Sequence, residues 1–380
     1  MNSRRPAALL ATVVAATGLA VASTLASATA ASAHVPHAPY GAHAVFVQND
    51  DPAGNTVIAY TRSTSGRLTE AGRYPTGGLG GVLTGSVVDH LASQGSLGYD
   101  RGLLVAVNAG SDTITTFAVA GDRLVRRQLL PAGGTFPVSV AMHGDRVFVL
   151  DARGGGALQG YLRSGDRLAL VPAWHRDLGL DPTQTPEFTS TPGQVGFTPD
   201  GRRLVVTTKN GSNSVLVYDV GRHGLAQAPV TTQLPGAVPF GFAFDSHGVL
   251  ALTEAGTNTV ATFRIGPDDR LEALHASATG QAATCWAVVA GHRVFASNAG
   301  SASLSGFGID HDGQLSPTGN TATDAGTVDA AASPDGRFVY VQAGAAGKVD
   351  GFRVEHDGTL TRVDSVTVPN AAGGEGIVVR

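Results

Sequence analysis

Residues 196–220, GFTPDGRRLVVTTKNGSNSVLVYDV, contain two short apolar runs bounded by residues that favour tight turns. A D-G pair precedes the first run, and the polar sequence K-N-G-S-N separates the two runs. Short apolar runs that alternate with Gly-containing turns are typical of antiparallel strands joined by hairpins. The same pattern recurs most clearly in residues 103–112 (LLVAVNAGSD), 249–258 (VLALTEAGTN) and 294–303 (VFASNAGSAS). The stretch therefore predicts one unit of a repeated β structure.

The repeat extends over most of the chain. Weaker copies begin at Val45, Val147 and Val339, which gives seven units of about 45 residues, each with four short strands. Two intervals are longer because insertions fall at about residues 77–95 and 172–191. Strands this short must stack as sheets around an axis to bury both of their faces. We therefore predict an all-β, seven-bladed β-propeller of four-stranded antiparallel blades, and two separate sandwiches are the alternative that the even repeat disfavours.

The ends of the repeat predict how the ring closes. Residues 373–379 (GGEGIVV) are similar to the inner strand that the first unit lacks. The sequence has one cysteine, Cys285, so an intramolecular disulfide is excluded. We expect the C-terminal strand to complete the first blade and to close the ring by strand pairing.

The N-terminus predicts the compartment. Residues 1–33 have a positive start at Arg4 and Arg5, an apolar stretch, and the small residues A-S-A before the expected cleavage site. We interpret residues 1–33 as a signal peptide, 34–42 as a flexible leader and 43–380 as the propeller. The protein is then expected to be secreted, with no membrane attachment after removal of the signal.

Composition limits the partners. Of the 380 residues, 51 are Gly and only 15% are charged, and the formal net charge is −4. A chain without a basic stripe is not expected to bind nucleic acid. We expect a monomer whose partner is a small molecule.

Blade geometry places the candidate site. Adjacent strands run antiparallel, so the start of each innermost strand and the end of each second strand lie at the same face of the ring. The repeat puts Gln48, Asn108, Asp151, Lys209, Glu254, Asn298 and Gln342 at the second-strand ends. It puts Ser96, Ser139, Gln194, Gly241, Trp286, Asp329 and Glu375 at the inner-strand starts. We call these sets the second-strand ring and the inner-strand ring, and we expect both to converge on one mouth of the central channel.

From these rings we select Glu254 and Lys209 as candidate catalytic residues. The candidate substrate-binding residues are Gln194, Asp151, Asn108, Asn298, Trp286, Asp329 and Glu375. Lys209 and Glu254 belong to neighbouring blades and are expected to pair. Asp329 and Glu375 also belong to adjacent blades, where close carboxylates either act as an acid/base pair or bind a divalent cation. No sequence motif indicates a metal or another cofactor, and polar side chains that only cap strand ends are the alternative at every one of these positions.

Three stretches resemble the seven-bladed lactonase family, which includes bacterial 6-phosphogluconolactonase and the fungal carboxymuconate lactonising enzyme. They are residues 196–220, quoted above, residues 242–265 (FAFDSHGVLALTEAGTNTVATFRI) and residues 332–363 (ASPDGRFVYVQAGAAGKVDGFRVEHDGTLTRV). The resemblance covers essentially all of the expected mature chain and is strongest to an exported actinobacterial branch. It implies a propeller fold and a lactonase-like activity.

The resemblance also implies which site residues are kept and which are replaced. Glu254, in LALTEAG, matches the Glu that ends the second strand of a central blade in the family. The family's Arg-His pair at the start of that blade is replaced by Phe240 and Gly241, and a His of the preceding blade by Gln194. Lys209 stands where the family has Asp, and Ala299 where it has Arg.

Two main functions follow from this mixed pattern. One is an exported lactonase-like hydrolase of a small lactone or ester, with Glu254 as base and Lys209 as electrostatic stabiliser. The other is a non-enzymatic propeller that binds a ligand or a protein and has lost the family's catalytic His and Arg. In the second case the two insertions are candidate contact loops.

Overall fold

The computed structural model describes residues 43–380 with the exception of His223. These residues form seven β-sheets, one for each predicted unit, and each sheet pairs its strands antiparallel. The predicted seven-bladed propeller is therefore confirmed. The predicted signal peptide (1–33) and leader (34–42) lie outside the described residues. In the described part, no helix is long and apolar enough to cross a membrane.

The strands of each blade follow one another from the channel outward. Blade 1 contains β1 (Ala44–Gln48), β2 (Thr56–Arg62) and β3 (Leu68–Pro75). Blade 2 contains β4 (Leu97–Asp100), β5 (Leu103–Asn108), β6 (Thr113–Ala120) and β7 (Arg123–Pro131). Blade 3 contains β8 (Pro137–His143), β9 (Arg146–Asp151), β10 (Ala157–Ser164) and β11 (Arg167–Asp177).

Blade 4 contains β12 (Gln194–Phe197), β13 (Arg203–Thr207), β14 (Ser214–Gly221), the two-residue β15 (Gly224–Leu225) and β16 (Val230–Gln233). Both β15 and β16 pair with β14, so this blade has a fifth, short strand that the repeat did not predict. Blade 5 contains β17 (Pro239–Phe244), β18 (Leu250–Glu254), β19 (Thr259–Ile265) and β20 (Leu271–Ala278).

Blade 6 contains β21 (Thr284–Ala290), β22 (Arg293–Asn298), β23 (Ser303–Ile309) and β24 (Leu315–Ala322). Blade 7 contains β25 (Thr327–Ala332), β26 (Phe338–Ala343), β27 (Lys348–Val354) and β28 (Leu360–Thr367), and the chain ends with β29 (Ile377–Val379). Among the described residues, the helical segments are the one-turn α1 (Glu187–Ser190) and three 3₁₀ turns, Ala109–Ser111, Lys209–Gly211 and Gly344–Ala346.

Burial explains why the strands differ in composition. The second strand of a blade is packed between neighbouring blades on both faces, so β5 (LLVAVN) is buried at every position. The outermost strand borders solvent, so β7 (RLVRRQLLP) is mostly exposed, buries only Leu124 and carries the arginines. The apolar core consequently lies between the blades rather than at the centre of the ring.

Strand β29 closes the ring as predicted. It pairs with β1 in blade 1, with Val45 opposite Val379, Phe46 opposite Val378 and Val47 opposite Ile377. The blade therefore combines the first strands of the described chain with its last one, and the closure needs no covalent link.

Candidate functional site

Irregular strand pairing marks the inner-strand ring. The inner strands of four blades lose register with the second strand close to the predicted ring positions. The shifts lie between Pro137 and Ser139, Pro239 and Phe242, Thr284 and Trp286, and Thr327 and Ala330. Such bulges turn residues away from the regular ladder and occur often beside functional sites.

The first insertion, residues 77–95, enters the opening that the inner-strand ring surrounds. Its residues 91–94 are buried. Three successive backbone carbonyls of this segment accept hydrogen bonds from three different blades. The donors are Lys209 Nζ to Ala92 O (2.6 Å), Trp286 Nε1 to Ser93 O (2.5 Å) and Ser139 Oγ to Gln94 O (2.7 Å). Blades 4, 6 and 3 therefore meet around one segment, which confirms that these ring positions converge.

Side chains of the same segment also bind the inner strands. The Gln94 amide donates to Ala287 O at 2.7 Å and accepts from Ala287 N at 3.0 Å. The Ser93 hydroxyl donates to Val138 O at 2.8 Å. The mouth of the channel is thus occupied by the chain itself, and it differs from the open funnel that the sequence predicted.

Lys209 belongs to this closure. It is fully buried, and its ammonium donates to Phe188 O (2.7 Å) and Thr191 Oγ1 (2.9 Å) in addition to Ala92 O. Burial lowers the pKa of Lys209 to about 7, against the opposing effect of Asp89. The predicted pair with Glu254 is absent from the described residues, because all three ammonium hydrogens are directed to these other oxygens. Lys209 joins structural segments and does not face an open substrate site.

The second insertion packs beside the first. Glu187 in α1 binds Arg153 of blade 3 through Oε1 and Nε at 2.7 Å, and its Oε2 accepts the N–H of Thr84 from the first insertion at 2.7 Å. The hydrogen bond from Arg153 lowers the pKa of Glu187 to about 2. The two insertions therefore form one cap over this face of the ring. Neither path was predicted, because insertion sequences have no repeat partner to align with.

Buried carboxyl groups gather where blades 1, 2 and 7 meet the first insertion. Asp329 and Glu375 are hydrogen-bonded to each other, as their expected proximity implied. Asp50 and Asp89, which sequence reasoning missed, lie near them. Burial raises the pKa of Asp50 and of Asp89 to about 7 and that of Asp329 to about 6. Burial followed by repulsion from Asp329 raises the pKa of Glu375 well above its ordinary value.

The arrangement of these carboxyl groups bears on the divalent cation considered above. Within residues 43–380, apart from His223, no group of three or more His, Cys, Asp or Glu side chains is placed to hold a metal ion. Glu375 instead accepts internal donors, namely Ser96 N at 3.2 Å and Ser93 Oγ at 3.3 Å.

Glu254 differs from the other charged residues of the two rings. Asp151, Lys209, Asp329 and Glu375 are buried, whereas Glu254 is partly exposed at the end of β18. Partial burial raises the pKa of the Glu254 carboxyl above its ordinary value. The Thr257 hydroxyl oxygen lies 3.5 Å from Glu254 Oε2. Glu254 is thus the charged ring residue that can both exchange protons and meet a molecule from solvent.

Several other candidates have internal partners. Asn108 and Asn298 each bind hydroxyl groups of the adjacent strand in their own blade, Thr113 and Thr115 or Ser303 and Ser305. The Gln194 amide joins blade 4 to blade 5 by donating to Phe242 O (3.1 Å) and accepting from Phe242 N (2.6 Å). These contacts match the alternative reading in which the polar residues hold strand ends together.

Asp151 is buried without any hydrogen-bond partner on either carboxyl oxygen. Burial, with a smaller contribution from Asp112, raises the pKa of Asp151 to about 8. It faces the backbone of Gly134 and is separated from solvent, so in this structure it does not reach a substrate.

A cavity of about 240 Å³ lies on the outer side of the cap. It is lined by the turn after β9, which includes Arg153 and Gly155, and by the second insertion, which includes Asp181, Gln184 and Thr191. Thr191 also accepts a hydrogen bond from the Lys209 ammonium, so the cavity adjoins the buried Lys209.

Solved structures similar to this chain are propellers of several activities. A structure from Bacteroides fragilis described as a candidate 6-phosphogluconolactonase has 17% identity, covers 91% of this chain and 99% of its own, and gives a TM-score of 0.68. A periplasmic gluconolactonase from Pseudomonas aeruginosa has 19% identity, with 89% and 99% covered and a TM-score of 0.69. Virginiamycin B lyase from Staphylococcus aureus has 12% identity, with 76% and 89% covered and a TM-score of 0.52.

These likenesses establish the fold. Neither a protein-family model nor a curated protein matches the chain. Because one fold hosts both lactonases and a lyase among these structures, the reaction has to be argued from the site. The predicted relation to an exported actinobacterial branch stays a prediction. The chain has the fold of 6-phosphogluconolactonase-like seven-bladed propellers.

Proposed function

We propose that the protein is a lactonase-like hydrolase that opens a small lactone or ester at the rim of the capped channel mouth, with the partly exposed Glu254 as the acid/base group. The observation that carries the proposal is the partial exposure of Glu254 in a ring whose other charged members are buried. The fold shared with the lactonase structures supports the same reaction class.

The chemistry requires one group that moves a proton twice. The Glu254 carboxylate accepts a proton from water while the water oxygen bonds to the carbonyl carbon. The bond between the carbonyl carbon and the ring oxygen then breaks, and Glu254 returns the proton to the departing alkoxide. The product is a hydroxy acid, and no oxidant or cofactor is needed.

The surroundings of Glu254 favour an uncharged substrate. The two positions that carry an Arg-His pair in the resembled family hold Phe240 and Gly241 here, and Phe240 is buried. The buried cation considered for this role, Lys209, has its three hydrogens bound to protein oxygens. A phosphate or carboxylate on the substrate would therefore lack a paired cation.

A panel of uncharged five- and six-membered lactones and aryl esters tests the proposal through acid release in weakly buffered indicator solution. We expect Glu254→Gln to lower kcat/KM by roughly 10²- to 10⁴-fold, the range typical of a lost acid/base group. Glu272→Gln is the matched control, because Glu272 is exposed on the outermost strand of the same blade. Unchanged turnover in Glu254→Gln, or no turnover by the wild type on any panel member, contradicts the proposal.

The pH profile gives a second readout. Since the carboxylate is the form that accepts the proton, kcat/KM should rise with pH through the pKa of Glu254, which burial places above the ordinary value. That rising limb should vanish in any residual activity of Glu254→Gln and persist in Glu272→Gln.

A further inference from the structure

The first insertion forms a plug that is bounded by two glycines with positive φ angles. Gly77 and Gly95, which bound it, have φ angles of 87° and 84°, values that glycine adopts without strain. Ala92 inside it has a φ of 48°, which a residue with a side chain adopts at a conformational cost. Strain of this kind persists only where surrounding contacts impose it, and it is concentrated in segments that switch.

The contacts that impose this conformation are both polar and apolar. Inside the channel, residues 92–94 are held by hydrogen bonds to their carbonyls and side chains, and each of these bonds can be replaced by water. The outer part of the plug is open to solvent, with the Val87 side chain 79% exposed. Withdrawal of the segment would also expose Leu83, Leu91 and Ala92 of the apolar core, together with the Phe240 and Trp286 side chains against which Val88 packs.

The plug also brings a carboxyl group into a buried acidic cluster. Asp89 of the plug faces Asp50 and Glu375 of blade 1, and Asp329 of blade 7 completes the cluster. The other titratable groups near it are Lys209 of blade 4, Cys285 of blade 6 and His90 of the plug itself. The Lys209 ammonium acts on Asp89, and all four carboxyl groups are buried.

We infer that residues 77–95 form a reversible, pH-dependent plug, which closes the channel in mild acid and withdraws as the pH rises towards neutrality. The closed state buries Asp89 beside three carboxyl groups, and this arrangement is tolerated only while most of the four are protonated. Withdrawal separates Asp89 from the cluster and admits water to the rest. This inference concerns closure of the channel and does not depend on the proposed reaction at Glu254.

The direction follows from proton uptake. The carboxyl groups have raised pKa values in the closed state, so closing takes up protons and a rise in pH favours opening, mainly between about pH 4 and pH 7. Lys209 acts in the opposite sense above about pH 7, because its pKa is lowered in the closed state. The opening of the plug should therefore be tested at or below about pH 7.

Tryptophan accessibility measures the plug, because the sequence has only two tryptophans. Trp286 donates to Ser93 O in the plug, while Trp174 lies in the outermost strand of blade 3 and stacks on Phe148. In the Trp174→Phe variant, which keeps Trp286, we expect acrylamide quenching to increase roughly twofold or more from about pH 5 to about pH 7. In the Trp286→Phe variant, which keeps Trp174, quenching should stay constant over the same range.

Two variants connect the change to the plug. Gln94→Ala removes the amide that binds Ala287 N and O, and it should raise Trp286 quenching already at about pH 5. Gln128→Ala is matched to it, because Gln128 binds Leu168 N and O in the same way between blades 2 and 3, and it should leave Trp286 quenching unchanged. Asp89→Asn should reduce the pH dependence.

Constant Trp286 quenching between these pH values overturns the inference, and so does an equal increase for Trp174, which would report loosening of the whole ring. Equal effects of Gln94→Ala and Gln128→Ala would also contradict it. These experiments use no substrate, so their results can be interpreted even if the proposed hydrolase activity is not found.

Discussion

Asp151 shows what happens when one blade departs from the repeat. Its counterparts in blades 2 and 6, Asn108 and Asn298, bind hydroxyl groups on the third strand of their own blade. The residue opposite Asp151 in the strand ladder is Ala157, where the other two blades have Thr113 and Ser303. Asp151 therefore loses its partners and remains buried as an unpaired carboxyl.

This arrangement predicts an unusual pH dependence of stability. The pKa of Asp151 is raised to about 8 in the folded protein, so its stabilising contribution is complete below about pH 4 and is lost as the pH rises through about 8. At pH 8.5, Asp151→Asn should be more stable than the wild type by on the order of 5 kcal/mol, and near pH 4 the difference should disappear. Urea unfolding at both pH values measures the difference.

Asp219→Asn serves as the control for this comparison. Asp219 is exposed on β14, so its replacement should alter the free energy of unfolding little at either pH. If Asp151→Asn shows the same small, pH-independent effect, Asp151 is not a buried protonated acid.

At the level of structural elements, the side chain of Lys209 connects the two insertions. Lys209 binds Ala92 O of the first insertion and Phe188 O of the second, which are far apart in the sequence. Lys209→Met keeps the aliphatic stem but leaves both carbonyls without their donor. Amide hydrogen exchange should therefore become faster in both insertions together, by roughly 10-fold for a net loss of about 1.4 kcal/mol in local stability.

Lys348→Met is a suitable comparison, since Lys348 pairs with Asp324 and is partly exposed. It should leave exchange in both insertions unchanged. Faster exchange in only one insertion after Lys209→Met would show that the two segments are held independently.

The elements also show where sequence reasoning succeeds. Each blade is encoded locally, by an apolar run and a turn such as those in residues 196–220, so the repeat predicted the blades and their order. The same alignment put Glu254 at a strand end and Asp329 beside Glu375. The partners of Lys209 are backbone carbonyls, which carry no sequence signature, so its place under the cap could not be predicted. The hydrogen bonds between the Gln94 side chain and the Ala287 backbone likewise have no sequence signature.

For the whole molecule, the predicted export remains to be tested. If residues 1–33 are a cleaved signal peptide, mass spectrometry of the secreted product should give a chain that begins at His34. Ala33→Tyr replaces the small residue that the signal peptidase requires, and it should block processing. Recovery of an intact N-terminus in the wild-type secreted protein would contradict the prediction.

Closure by the last strand should govern the cooperativity of the whole ring. Ile377 is buried in β29 with Val45, Val47 and Tyr60, and its strand supplies the hydrogen bonds of the inner edge of β1. Deletion of residues 376–380 therefore exposes an unpaired strand edge and opens the ring between its first and last blades. We expect the urea unfolding transition to broaden. Truncation of a buried isoleucine to alanine costs roughly 2–5 kcal/mol, and the deletion should lower the free energy of unfolding by at least that amount.

Ile377→Ala alone should reproduce part of that loss while keeping the transition sharp. Ile265→Ala is the matched control, because Ile265 is only partly buried at the end of β19 and takes no part in ring closure. A synthetic peptide of residues 373–380, added to the truncated protein, should restore the sharp transition by pairing with β1. Equal losses for the two isoleucine variants, or a truncated protein as cooperative as the wild type, would mean that the ring is held by its blade interfaces without β29.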